Sequence, residues 1–191
     1  MNAEIISVGT ELMLGELVDS NSAFIASELS KIGIHVNWVT KVADDLEQLR
    51  EIITSAWTRS EITITTGGLG PTSDDLTRES ISMVLGETMN IDVDLEDDLK
   101  KRFRDMGSSM PKTNIKQATL IDSANSIPNT FGTAPGWWVK KKGHVIIALP
   151  GPPNELQPMW KDYVVPKLIH MNAEIRILTR NIKTFGISEG K

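Results

Sequence analysis

The chain contains no cysteine. That absence removes a disulfide framework, a thiolate nucleophile and a cysteine-bound zinc from its chemistry. Histidine is nearly as scarce. His35, His144 and His170 stand far apart without metal-ligand spacing. The first two fall in apparent strands, where packing or edge exposure is the expected role. No apolar run is long enough to span a bilayer, and the opening residues lead straight into a strand rather than a signal peptide. A soluble, cytoplasmic protein is the expectation. Basic charge is also in deficit: 20 Lys and Arg against 25 Asp and Glu leave a net charge of −5. That balance argues against a general nucleic-acid surface. The one basic run, Lys140-Lys141-Lys142, precedes Gly143 and reads as a solvated hairpin tip.

What is present is ordinary for a globular chain. Its 191 residues are 40% hydrophobic and 24% charged, enough to bury a core without staples. One domain over residues 1–170 is expected. Residues 171–191, with a strand pattern at 173–179, then lead toward a second domain.

Strand and helix patterns alternate three times from the N-terminus. Residues 4–8 form a short apolar run ended by Gly9. Residues 21–32 place Phe24, Ile25, Leu29 and Ile32 on one helical face, with Ser20 or Asn21 as cap and Gly33 as stop. Residues 34–42 read as a second strand. Asp44 and Asp45 open a second helix, with Leu46, Leu49, Ile52, Ile53 and Ala56 inward; carboxylates there suit the positive end of the helix dipole. Residues 62–66 give a third strand and 75–85 a third helix. Such alternation signals βαβ units with right-handed crossovers and a mostly parallel sheet, helices on both faces: an α/β fold.

The pattern then changes. Residues 95–106 form a charged helix with a thin apolar stripe, suited to a lid or a subunit contact. A loop at 107–114, a strand at 118–121 and a turn at 126–129 are expected next. Residues 137–141 and 144–149 pair as a hairpin. The rigid Pro150-Gly151-Pro152-Pro153 turn leads into a last helix that Pro166 interrupts.

The richest stretch is Thr66-Gly67-Gly68-Leu69-Gly70-Pro71-Thr72-Ser73-Asp74-Asp75. It follows a β-branched strand and precedes a helix. It is neither the dinucleotide fingerprint nor a P-loop. The amides of residues 67–70 can form an anion nest, so Gly67, Gly68 and Gly70 are candidate phosphate contacts. One of Asp74 and Asp75 is expected to cap the third helix while the other faces the cleft, Asp75 being the first candidate metal ligand.

In a parallel sheet the carboxyl ends of the strands share one rim. Asp44 or Asp45 would therefore project beside Asp75, and two such carboxylates can hold a divalent cation and orient a water. Thr10, Glu11 and Asn21 supply hydroxyl, carboxylate and carboxamide groups to the same rim. Gly151, Asn154 and Glu155 supply a further turn, whose helix N-terminus offers free amides. Glu155 can be a cap or a contact to sugar hydroxyls. Trp137 and Trp138 face opposite sides of a strand; one belongs to the core, and the other packs, sits in an interface or stacks on a base.

Taken together, residues 5–12, 66–79, 128–136 and 149–156 resemble the N-terminal domain of the CinA family of competence- and damage-inducible proteins. That domain belongs to the molybdopterin-binding superfamily that includes MogA, MoaB and the matching domains of MoeA and gephyrin. Residues 183–187 resemble the family's exit from this domain; the family's C-terminal amidase domain lies outside the sequence. The resemblance implies a three-layer α/β/α fold. It also implies one of two activities: metal-dependent ADP-ribose pyrophosphatase action, or molybdopterin binding and adenylylation. The family's acidic positions fall on Asp75 and on Asp44, with Asp45 as alternate. Thr10 replaces an Asp, and Leu69 a Thr, common among the molybdopterin-binding relatives; both departures favour the CinA branch. The expected partner is a small nucleotide or pterin, with a divalent metal as cofactor, and the charged helix and tryptophan pair suggest a homo-oligomer.

Overall fold

The computed structural model describes residues 1–172; the strand and exit segment expected after residue 172 lie outside the described residues. The chain opens with β1 (Asn2–Val8), a short α1 (Thr10–Met13), α2 (Ser20–Lys31), β2 (His35–Val42), α3 (Leu46–Arg59), β3 (Ile62–Thr66) and α4 (Thr77–Leu85). Next come β4 (Asn90–Ile91), α5 (Val93–Asp105), a 3-10 helix (Lys112–Ala118), β5 (Thr119–Leu120), β6 (Ala124–Ile127), β7 (Gly136–Lys141) and β8 (His144–Leu149). Two helices close the described chain, α6 (Pro153–Met159) and α7 (Val165–Met171), joined through a π-helical turn at Trp160–Val164.

Six strands form one sheet in the order β2-β1-β3-β8-β7-β6. The first four are mutually parallel; β7 runs antiparallel to both β8 and β6. Strand periodicity divides the core. Ile5, Ile64 and Ile147 point to one face, against Ile25 and Leu29 of α2 and Val164 and Leu168 near the C-terminus. Ile6, Ile146 and Ala148 point to the other, against Leu49, Ile53 and Ala56 of α3 and Ile81 of α4. This is the three-layer α/β/α arrangement that the alternating pattern predicts. β3 is buried at all of its positions, as a central parallel strand should be. Each fully buried Leu or Ile contributes about 1.5–3 kcal/mol.

Trp137 and Trp138 do face opposite sides, but both are core: Trp137 joins the α3/α4 face and Trp138 the α2/α7 face. Neither is left for an interface or a base, so that part of the oligomer argument falls away. The edge of β7 is paired with β6, and its two faces fall in the two packed clusters, Trp138 with Met159 and Leu168 and Trp137 with Leu49 and Ile81.

Caps differ from expectation in detail. Asp19, not Ser20 or Asn21, caps α2, accepting from the Ser22 amide at 3.0 Å. Gly33 stops this helix as expected, with φ 76° and a Schellman pair of bonds, Gly33 N–H to Ser30 O and Ile34 N–H to Leu29 O. Asp45 caps α3 through the Gln48 amide at 2.9 Å. Neither Asp74 nor Asp75 caps α4, which starts at Thr77 without a side-chain cap.

The middle of the chain departs most. The turn expected at 126–129 begins as β6, and the strand expected at 118–121 shrinks to β5, which pairs with the unanticipated β4. Both strands are too short to show periodicity. Lys142 and Gly143 turn the β7–β8 hairpin with φ of 49° and 85°, the two positive values a type I′ turn needs. Lys141 is not a solvated tip residue: its ammonium reaches Leu85 O at 2.8 Å and Glu87 at 2.5 Å, closing the C-terminal end of α4. His144 packs as expected, 4.9 Å from the Trp57 ring and bonded to Ser60 O. Among the described residues no helix is long and apolar enough to cross a membrane.

Candidate functional site at the carboxyl ends of the parallel strands

β1 is the strand from which the chain departs to β2 on one side and returns, through α3, to β3 on the other. The loops after β1 and β3 therefore diverge, and a crevice opens between them. Such switch points are where open α/β sheets bind ligands. Here the crevice is a cavity of about 400 Å³. Gly9 enters it from β1, residues 67–72 from β3, and Pro150 to Pro152 from β8. A second lobe of about 400 Å³ adjoins it along Glu11 and Gly151 and extends to Asp19 and Asn21.

The glycine turn is shaped by its own residues. Gly67 and Gly68 sit at φ 97° and 66°, values that disfavour side chains. A Cβ on Gly67 would strike the Val8 carbonyl, and one on Gly68 the Thr77 hydroxyl. Thr77, fully buried, donates to Gly67 O at 2.8 Å and, through its amide, to Gly68 O at 3.2 Å. Asp75 closes the turn from the other end. Its Oδ1 accepts from the Gly70 amide at 2.7 Å; its Oδ2 accepts from the Thr72 amide at 2.9 Å and hydroxyl at 2.6 Å.

This corrects the simple picture of a nest of free amides. The Gly70 N–H is taken by Asp75, and the Gly67 N–H by Leu149 O at 3.0 Å. Gly68 and Leu69 keep amides with no acceptor among the described residues.

Asp44 lies across the cavity, fixed to the first loop. Its Oδ2 accepts from the Thr10 amide at 2.8 Å and hydroxyl at 2.9 Å. Thr10 thus holds Asp44 and does not itself line the main cavity. Asp45 is spent on its cap. Glu11, Asp74 and Glu155 complete the acidic lining with Asp44 and Asp75. Glu155 is neither a cap nor loose: the Asn129 carboxamide donates to its Oε2 at 2.7 Å.

Two expected contacts are placed elsewhere. Asn154 is exposed and lines neither lobe. Asn21 lines the second lobe and uses its Nδ2 to clip α2 to Gly151 O at 2.7 Å, while its Oδ1 is buried without a partner among the described residues. The amides expected at the start of α6 are mostly absent. Pro152 and Pro153 have none, and those of Glu155 and Leu156 both donate to Pro152 O at 3.0 Å. In the second lobe burial pushes the Asp19 carboxyl up, but the Ser22 amide and hydroxyl and nearby Lys41 hold it below its ordinary range.

Residues that the sequence did not single out support these walls. Arg78 is wholly buried and donates to Leu69 O at 2.7 Å and Pro135 O at 2.8 Å, joining the glycine turn to the 128–135 loop. Burial pushes its guanidinium down to about 10, against the pull of Glu79 and Asp75, so it remains a cation at neutral pH. Asn129 donates to Ala134 O and accepts from the Phe131 and Gly132 amides. Lys116 bonds the carbonyls of Thr72 and Asp75 and pairs with Glu79 at 2.9 Å. The signal available for Arg78 was its place immediately after the acidic turn; its burial was not legible.

Can the acidic lining hold a divalent metal? No group of three or more His, Cys, Asp or Glu side chains is arranged to do so among the described residues. A carboxylate has about four acceptor positions. Asp75 uses three of them, whereas Asp44 keeps its Oδ1 clear. This set does not cage a cation alone. It fits one bound by one or two carboxylates and completed by ligand phosphates and water, the common magnesium arrangement.

A glycine-floored, acidic crevice at the switch point of a doubly wound sheet defines an α/β domain built to bind a small polar ligand. Residues 4–170 match the family described as a probable molybdopterin binding domain. The chain belongs to that family and, within it, to the CinA-like proteins. It is 43% identical over 189 residues to a CinA-like protein of Thermomicrobium roseum, covering 99% of this chain and 47% of that protein. A CinA-like protein of Deinococcus deserti is 47% identical over 190 residues, with 99% and 47% covered. The chain thus spans about half the length of these curated relatives. Among solved structures, CinA from Thermoplasma acidophilum superposes with a TM-score of 0.81 at 34% identity, over 88% of this chain and 97% of that one. The molybdopterin biosynthesis enzyme MoaB of Thermus thermophilus shares the fold, with a TM-score of 0.60 at 20% identity over 90% and 94% of the two chains.

Proposed function

We propose that the crevice binds a pyrophosphate-containing nucleotide, ADP-ribose or a close relative, and hydrolyses it with a divalent cation. One observation carries this reading. Five carboxylates (Glu11, Asp44, Asp74, Asp75 and Glu155) line a glycine-walled cavity that no lysine or arginine lines. Two like charges about 5 Å apart repel by about 3 kcal/mol at an effective dielectric of 20. A bare pyrophosphate would be expelled, so a phosphate ligand must enter as a cation complex.

The chain's own groups then divide the work. Asp44, pinned by Thr10, would offer its clear Oδ1 to the cation, and Asp75 its remaining acceptor position. When bound, the cation would neutralise phosphoryl charge and lower the pKa of a water. Asp75 chiefly keeps the turn open, leaving the Gly68 and Leu69 amides to donate to phosphate oxygens. Glu11, between the two lobes, is suited to accept a proton from the attacking water. Glu155, held by Asn129, can accept from a sugar hydroxyl.

A second reading is a nucleotide- or pterin-binding module of molybdenum cofactor metabolism that performs no hydrolysis. It is favoured by the lack, among the described residues, of three or more ligating side chains grouped to hold a metal, and by the family's description. A screen of nucleotide diphosphates with and without magnesium or manganese, reading released AMP, separates the two. Under the first reading Asp44→Asn loses most turnover and stays folded. Metal-independent binding with no AMP from any substrate, or full turnover in Asp44→Asn, would sink hydrolysis at this site.

A further inference from the structure

A cavity of about 440 Å³ lies between α5 and the loop joining β6 to β7. It is not part of the crevice described above, but the two meet. Thr133 lines both, and Asn129, which lines this cavity, donates to Glu155 in the other. Its lining differs in kind. Leu95, Leu99, Arg102 and Met106 follow one another at three- and four-residue spacing, so one face of α5 supplies one wall. Pro128 and Pro135 lie among its opposite lining. Asp98, Asp105 and Lys101 stand on the same helical wall.

We propose that this cavity takes the planar, nitrogen-rich heterocycle of the ligand whose phosphates occupy the acidic crevice. The inference rests on the phosphate-ligand reading given above and adds to it the seat of the ring. The argument is chemical. Apolar walls of leucine, methionine and proline suit the faces of a flat ring, and a guanidinium stacks on such faces. A purine or a pterin carries donors and acceptors on its edge. Aspartates can receive from its exocyclic amines, and Lys101 can donate to its ring nitrogens or carbonyls. A sugar would gain little from the apolar wall, and a free phosphate would find as many carboxylates as cations. The volume falls within the range of small-ligand pockets. The thin apolar stripe at 95–106 thereby has a use: Leu95, Leu99 and Met106, three of its four residues, line this seat.

The test is calorimetric titration, in magnesium, of three probes: ADP-ribose, 6-hydroxymethylpterin diphosphate and inorganic pyrophosphate. Wild type is compared with Met106→Trp, which fills the cavity from a position 58% exposed, and with Arg102→Glu. Circular dichroism and melting temperature verify that both variants fold. The expected result is a loss of about tenfold or more in affinity for the ring-bearing ligands in both variants, with pyrophosphate changed by less than about twofold. Whichever ring-bearing probe binds wild type more tightly identifies the source of the heterocycle. Equal losses for pyrophosphate and the ring-bearing probes, or no loss for either, overturns the seat. Wild type binding pyrophosphate as tightly as both ring-bearing probes overturns the seat and leaves the phosphate site standing. Wild type binding none of the three overturns the phosphate reading and this inference with it.

Discussion

The Asp75 carboxylate folds back onto the Gly70 amide, five residues earlier, at 2.7 Å. With Thr72 donating twice to its other oxygen, this one side chain makes a closed loop of the acidic motif. A residue that looks like a metal ligand is first of all the brace of the turn that faces the ligand.

Asp75→Asn is therefore expected to cost stability as well as ligand binding. An asparagine oxygen can accept one set of bonds, but its NH2 would confront donors on the other side. Loss of charged acceptor bonds should lower stability by about 1–3 kcal/mol. Thermal melts would detect it, together with faster hydrogen exchange at Gly70. An Asp75→Asn protein with unchanged melting temperature and Gly70 protection would show the brace to be dispensable.

Gly67→Ala should be worse than Gly68→Ala. Both residues hold positive φ, but the added Cβ meets backbone, the Val8 carbonyl, at Gly67, and at Gly68 a side chain, the Thr77 hydroxyl, which can give way at the cost of its one bond to Gly67 O. The first is expected to lose about 2 kcal/mol or more and the second about 1 kcal/mol. Chemical denaturation of the pair gives the order, and the reverse order would contradict the geometry.

Asn129→Ala should loosen the 128–135 loop and release Glu155. Four hydrogen bonds end on this carboxamide, two donated and two accepted. Losing these bonds, of which the one to Ala134 O is buried, should cost about 1–3 kcal/mol. Weaker binding of the crevice ligand should accompany it. Asn129→Asp keeps the acceptors but sets a second carboxylate against Glu155, and should bind worst of all.

The Glu87–Lys141 pair predicts a pH dependence. Burial pushes the Glu87 carboxyl up, but the Lys141 ammonium and the Ser123 amide outweigh it and hold it below the ordinary 4.5. A carboxyl lowered by folding adds stability above its unfolded pKa, and that stability disappears as pH falls through the folded value. Glu87→Gln should thus be about 1–2 kcal/mol less stable than wild type at pH 7. The gap should close as the pH drops below about 4.5. A gap that persists in acid would assign it to packing instead.

Much of this molecule was written in local pattern. Helix and strand periods near the N-terminus specify the βαβ alternation because side-chain spacing alone decides which face can be buried. Gly33 and the Lys142-Gly143 turn act through their own backbone geometry, and Asp45 through a side chain that reaches only three residues ahead, so their positions were readable. The acidic rim followed from topology, since parallel strands bring their carboxyl ends to one side. What was not readable depended on who meets whom across the fold. β4, β5 and β6 are too short to carry a period, and Trp138 was ambiguous because the helices that pack on its face come from residues 153–171. Sequence supplied Asp44, Asp75 and the glycines as chemical types. Only the folded chain decided that Asp75 spends its oxygens on its own turn, that Thr10 aims Asp44, and that Arg78 ties two walls together from beneath. Hydrogen-bond partners far apart in sequence are chosen by three-dimensional proximity, and no linear pattern encodes that choice.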